Sequence, residues 1–182
     1  MNGHKLLNAR RLSIAGFSFL FTYILSFLFE GQVLYSLLDM RGMDANHYVL
    51  AAIIAHFSGL FTCGLFVKFL RAAKNMVLGG MGLCLAATIP FFFPLPNLWL
   101  GALIVSGYFS GCAVAAWGFF HSAFTPKNER IKSCADVLIY SNLLMIAVNV
   151  VAINRAPFIG LSLAILCLVI GIAFIWILPV GQ

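Results

Sequence analysis

Two titratable side chains lie inside long apolar runs of this sequence. Glu30 interrupts the run FLFEGQVLY, and His56 lies in the next run. A charge near the middle of a bilayer costs about 3 kcal/mol or more, so it usually has a partner or a function. On neighbouring helices the two residues would lie within about 5 Å of each other in depth and could share a proton. This spacing predicts proton coupling or binding of a cationic substrate. The alternatives are a structural polar bridge and a position of Glu30 near the outer interface.

Polar and small residues also recur at helical spacing. Asn142 and Asn149 are seven residues apart, so on a helix they share one face. They are candidates for lining a substrate cavity, and the alternative is that they join neighbouring helices by hydrogen bonds. Gly107 and Gly111 form a G-x-x-x-G pair, which predicts close packing of another helix.

The patterns of common enzyme sites are missing from this sequence. It contains neither H-E-x-x-H nor G-x-S-x-G, and its glycine clusters lack the lysine and hydroxyl of a phosphate-binding loop. The five cysteines form no C-x-x-C pair, which argues against a zinc or disulfide framework. We therefore expect no enzyme activity, no cofactor and no metal site.

The amino-acid composition indicates whether these residues lie in a water-soluble protein or in a membrane. Apolar residues make up 63% of the 182 residues and charged residues 9%, whereas soluble domains carry about 25% charged residues. Continuous apolar runs of about 20 residues predict membrane-spanning helices. We predict an all-α integral membrane protein: an N-terminal segment over 1–13, a six-helix bundle over 14–178 and a tail over 179–182. The predicted spans are 14–38, 46–67, 76–93, 97–120, 134–153 and 157–178.

The positive charges predict how the bundle is oriented. Nine of the eleven lysine and arginine residues precede the first span or lie in the second and fourth connections, and only Arg41 and Arg155 lie on the other side. Because positive loops stay in the cytoplasm, both termini are predicted to be cytoplasmic, in the plasma (inner) membrane. The net charge of +6 then reflects topology and contact with lipid headgroups, and no nucleic-acid partner is expected.

Two connections carry a family resemblance. The segment GLFVKFLRAAKN, with Gly64, Lys68, Arg71 and Lys74, resembles the loop between helices two and three of the major facilitator superfamily. The segment TPKNERIKSCAD resembles that family's entry into helix five, with Glu129 and Arg130 matching. The sequence departs from the family where Lys68 replaces an acidic residue, Arg71 replaces a glycine and Gly107 replaces a basic residue.

The resemblance implies the N-terminal half of a transporter, built from two inverted three-helix repeats. The matching loop residues would then be gating candidates. Asp136 joins them as a possible latch or, alternatively, as a topological anchor. Such a half unit would need a second six-helix half or a homodimer, and would move an unknown small solute. The alternative is a membrane sensor or interaction module, such as the membrane part of a regulator, that kept the bundle and lost the coupling motifs.

Overall fold

Helices are the only regular secondary structure among the residues that the computed structural model describes. These are residues 3–29 and 31–179, with side chains described from residue 8 onward. The α-helices are α1 (Gly3–Tyr23), α2 (Gln32–Asp39), α3 (Ala45–Phe66), α4 (Leu70–Thr88), α5 (Pro96–Phe124), α6 (Arg130–Asn154) and α7 (Pro157–Ile177). A π-helical segment covers Ile24–Phe29, and short 3-10 turns cover Ile89–Phe92 and Lys127–Glu129.

Six of these helical stretches are long and apolar enough to cross a membrane, which confirms the predicted six-helix bundle. We number them spans 1 to 6: Asn8–Asp39, Ala45–Phe66, Leu70–Phe92, Pro96–Phe124, Lys127–Asn154 and Pro157–Ile177. Spans 4 and 6 begin with proline, whose missing N–H is tolerated at a helix start.

The boundaries differ from the predicted ones mainly at the basic end of the bundle. Helix α1 begins at Gly3 instead of residue 14, and span 3 begins at Leu70 instead of residue 76. Arg71 and Lys74 therefore lie on a helix and not in a loop. Charged residues do not break a helix, because lysine and arginine are good helix formers.

The spans pack in a pattern that repeats within the chain. Span 4 packs against spans 2 and 3, and span 1 packs against spans 5 and 6. Spans 1 and 4 touch each other, as do spans 3 and 6. Exchanging spans 1–3 with spans 4–6 leaves these neighbours unchanged, but the exchange is not complete, because spans 5 and 6 pack together much more closely than spans 2 and 3. The packing therefore agrees with two three-helix units, which an odd number of crossings would place in opposite orientations in a membrane.

The tightest interface joins α3 to α5, and glycines make it possible. A Cβ added to Gly107 would lie 2.5 Å from the Ala52 carbonyl oxygen, and one added to Gly111 would overlap that of His56. From the other side, a Cβ on Gly59 would overlap the Tyr108 carbonyl oxygen. The predicted G-x-x-x-G packing is therefore confirmed, and α3 is its partner.

Candidate functional site at the interrupted first span

Span 1 changes its helical geometry and then breaks. Helix α1 is regular up to Tyr23, the π-helical segment Ile24–Phe29 follows, and α2 restarts at Gln32. Between them Gly31 has extended backbone angles, with φ −76° and ψ 132°. Glu30 lies outside the described residues. π-helical turns are rare in proteins, and those that occur are often at functional sites. The interruption of span 1 is therefore the candidate functional site.

Gly31 is required by the close approach of the chain to itself. A Cβ added at Gly31 would overlap the backbone carbonyl of Ser26, in the π-helical segment. Any residue larger than glycine would force the two backbone segments apart. The Ser26 side chain is fully buried, and its hydroxyl has no hydrogen-bond partner among the described residues.

Asn149 closes one side of the break. Its side-chain oxygen accepts a hydrogen bond of 3.2 Å from the backbone N–H of Gln32, the first residue of α2. The first N–H groups of any helix lack partners within that helix. Asn149, on α6, therefore satisfies the first N–H of the helix that restarts within span 1. This contact links span 5 to span 1.

His56 lies in the interface between α3 and α5, beside the π-helical segment of span 1. It is 6% exposed, and its Nδ1 lies 2.8 Å from the hydroxyl oxygen of Ser110. The Ser110 hydroxyl in turn donates to the Gly107 carbonyl, at 2.8 Å. Because the Ser110 hydroxyl proton is already donated to Gly107, the proton between Nδ1 and the Ser110 oxygen belongs to Nδ1. Nε2 is then the unprotonated, basic nitrogen of the ring. The ring of Phe29 meets the imidazole edge-on, with centroids 4.7 Å apart.

A second polar cluster, which sequence reasoning missed, lies in the core. The Tyr23 hydroxyl lies 2.7 Å from that of Thr88, which donates to the Cys84 carbonyl. The nearby Ser106 hydroxyl is buried and has no partner among the described residues. A tyrosine and a threonine in separate apolar runs carry no spacing signal that pairs them, so only the packing of α1, α4 and α5 reveals the cluster.

The predicted gating residues form two groups: those that contact the end of another helix and those that lie at the surface. Lys74 and Arg130 belong to the first group. The Lys74 ammonium donates to the carbonyls of Trp176 and Leu178, both at 2.8 Å, where α7 ends. Arg130 donates to the Ser122 carbonyl at 3.2 Å, in the last turn of α5. Cations at helix C-termini satisfy free carbonyls and suit the helix dipole.

Glu129 belongs to the same group, because it forms an ion pair with Arg10. The Arg10 Nε also donates to the Ser133 hydroxyl, at 3.1 Å. These contacts place the start of α1 beside the start of α6. Because α1 and α6 begin at the same end, they run in the same direction through the bundle.

The second group lies at the surface. Gly64, Lys68 and Arg71 are exposed, and a Cβ on Gly64 would meet no atom within 4 Å. Asp136 is half-buried and lies between α1 and α6, but it forms no ion pair with a described residue. Asn142 is also exposed, and its amide bonds the Leu138 carbonyl on its own helix at 2.7 Å. Of the two predicted asparagines, Asn149 alone is brought to the break.

Comparisons with known proteins add nothing to this geometry. No family model, no curated protein and no solved structure matches the chain.

Proposed function

We propose that this chain is a half unit of a facilitator-type secondary transporter that moves a small solute across the plasma membrane. The observation that carries this proposal is the interruption of span 1. Irregular backbone at membrane depth is tolerated where it is buried in protein or lines a water-filled cavity. Transporters use such discontinuous helices to bind substrates and ions near the middle of the membrane.

The break offers groups suited to a small polar solute. The Ser26 hydroxyl is free of partners among the described residues, and the chain turns at Gly31. Asn149 supplies an amide that accepts from α2 and retains two N–H donors. Glu30 is adjacent in sequence to Phe29, which contacts His56. We assign proton coupling to Glu30 and His56.

The packing supports the comparison with a transporter half. Spans 1 and 4 take equivalent places in the two three-helix units, as expected for inverted repeats. The most apolar stretch of span 5 is 22% buried and those of spans 2 and 3 are 33% buried each, against 61% for span 1. Spans 2, 3 and 5 therefore offer the surface on which a second six-helix half, or a second copy, would pack to complete a pathway.

One set of contacts favours the alternative, a membrane sensor derived from the same fold. Lys74 and Arg130 are engaged at the C-termini of α7 and α5. In this role they hold the bundle rigid, whereas a gate needs contacts that break in each cycle. Gly107, where the facilitator family carries a basic residue, packs directly on α3.

A solute screen in proteoliposomes tests the proposal. The chain is reconstituted at increasing protein density, and solute-induced currents are recorded on a solid-supported membrane for sugars, amino acids, organic cations and organic anions. We expect a current for one class that rises more steeply than linearly with density, because two halves must meet. Asn149→Leu should abolish that current, whereas Asn142→Leu should preserve it.

Two outcomes would oppose transport. Binding of a solute without any current, at every density, would favour the sensor. A current that is linear in density from a monodisperse monomer would contradict the half-unit arrangement.

A further inference from the structure

A groove between α1 and α6 lies away from the interruption of span 1 and has no role in the function proposed above. Its volume is about 770 Å³. The groove starts where both helices begin, at the end of the bundle that carries Arg10 and Glu129, and continues along both helices. Since α1 and α6 run in the same direction, both walls of the groove are charged at the same end and apolar further along the membrane normal.

The entrance of the groove is cationic. Arg10, Arg11 and Lys132 line it together with Glu129 and Asp136, which leaves a net charge of +1. Arg10 and Glu129 neutralise each other in an ion pair. Arg11 and Lys132 are exposed and form no ion pair with a described residue. The entrance therefore holds two available cations and one carboxylate.

The deeper part of the groove is apolar. Ile14 and Phe19 line it from α1, and Leu143 and Leu144 line it from α6. At about 1.5 Å per residue, Leu144 lies about 18 Å along the helix from Lys132, so the groove runs from its charged entrance into one leaflet of a hydrocarbon core about 30 Å thick. Tyr140 lies between the charged and the apolar parts, where amphipathic rings occur at membrane interfaces.

We propose that this groove binds a monoanionic phospholipid. Its phosphodiester would lie between Arg11 and Lys132, and one acyl chain would follow Ile14, Phe19 and Leu143 into the membrane. Basic pockets between transmembrane helices recognise acidic headgroups by this combination of charge and depth. A single negative charge neutralises the net charge of the entrance.

Other occupants fit the groove less well. A soluble phosphate would leave the apolar walls uncovered, and a neutral zwitterionic lipid would leave the excess cation unpaired. A second copy of the chain would have to supply an acidic residue at the entrance, and its described surface near this end is dominated by exposed cations such as Lys68 and Arg71.

Lipid binding to the full chain, measured by native mass spectrometry in detergent, tests the site. Dioleoylphosphatidylglycerol and dioleoylphosphatidylcholine are titrated in parallel. We expect one molecule of the anionic lipid to bind more tightly than its neutral counterpart. The double variant Arg11→Gln/Lys132→Gln should weaken that binding by about tenfold or more, since each cation near a membrane surface contributes about fivefold.

The matched control removes two charges from the same end but outside the groove. Lys68→Gln/Arg71→Gln should change the affinity less than about twofold. Asp136→Asn, which adds one net positive charge to the entrance, should tighten binding. If Arg11→Gln/Lys132→Gln fails to fold, Asp136→Asn still tests whether the charge of the entrance controls lipid affinity. Ala15 also lines the groove, on α1. Ala15→Trp would fill the space there and should prevent binding while leaving the entrance charges in place.

Several results would overturn the proposal. These are equal binding of the two lipids, equal loss in the groove and control variants, and displacement of the lipid by millimolar glycerol 3-phosphate, which would indicate a site for free phosphates. A dimer that dissociates on Ala15→Trp with unchanged lipid binding would show that a second copy fills the groove.

Discussion

The side-chain oxygen of Asn149 accepts a hydrogen bond from the backbone N–H of Gln32 at 3.2 Å, across 117 positions of sequence. A helix that restarts inside a membrane needs such a partner, because lipid cannot satisfy its first N–H groups. The contact ties the interruption of span 1 to span 5. The two spans therefore cannot move independently without exposing an unpaired donor.

Removing this cap should loosen the break. Asn149→Ala is expected to lower the free energy of unfolding by about 1 kcal/mol, the usual net contribution of one intramolecular hydrogen bond. Hydrogen exchange should accelerate at the start of α2. Asn142→Ala is the control, because Asn142 is exposed and bonds only its own helix. Equal exchange at α2 in both variants would mean that Asn149 is not a cap.

The turn at Gly31 should tolerate no side chain. Gly31→Ala places a methyl group against the Ser26 carbonyl, and overpacking of this kind costs about 1–3 kcal/mol. We expect a lower midpoint of thermal unfolding in detergent. Gly101→Ala is the matched control, because a Cβ there meets no atom within 4 Å. A Gly31→Ala protein as stable as the control would disprove the close approach.

Glu30 and His56 should determine the response to pH. If they couple protons, Glu30→Gln should preserve folding and abolish the pH dependence of flux or of ligand response. His56→Gln should do the same, since it removes the basic imidazole nitrogen. If the pair is only structural, Glu30→Gln should leave that pH dependence unchanged, and Glu30→Leu should alter packing modestly. Size-exclusion profiles and pH-dependent flux distinguish the two cases.

Lys74 should stabilise the bundle as a helix cap. Lys74→Met removes two hydrogen bonds to the carbonyls at the end of α7, and hydrogen bonds from charged donors contribute about 1.5–3 kcal/mol. The variant should unfold at lower temperature. Arg71→Met, one turn away and exposed, should unfold near the wild-type temperature. Comparable losses in the two variants would argue for a general charge effect.

Cysteine labelling tests the orientation. Cys134 is exposed, whereas the other four cysteines are buried. In intact cells an impermeant maleimide should leave Cys134 unlabelled until the membrane is permeabilised, and Asn128→Cys should behave in the same way. In a background lacking the native cysteines, Gly42→Cys should label from outside. The reverse pattern would invert the predicted topology.

The positions of the apolar runs in the sequence were enough to predict the six spans, because a bilayer requires each span to be long and continuously apolar. The ends of several spans in the tertiary structure differ from the predicted ends. Span 3 begins six residues earlier than predicted, since Arg71 and Lys74 continue the helix while extending toward its polar end. Hydropathy alone counts such residues as loop.

The G-x-x-x-G pair was also predictable, because small residues at a spacing of four permit close helix contact whichever helix is the partner. The partner itself was not predictable. Only the tertiary structure shows that α3 approaches Gly107 and Gly111, with Gly59 as the matching small residue.

The membrane environment, the number of spans and the polar residues inside apolar runs all follow from the order of the amino acids. Which of those polar residues meet follows only from the packing of the helices. Asn142 and Asn149 have the same chemistry and share a helical face, yet one is exposed and the other caps α2. Their difference depends on where along α6 the first span crosses it. A local pattern sets which way a side chain points on its own helix, but the distance to a residue more than a hundred positions away is set by how the helices pack.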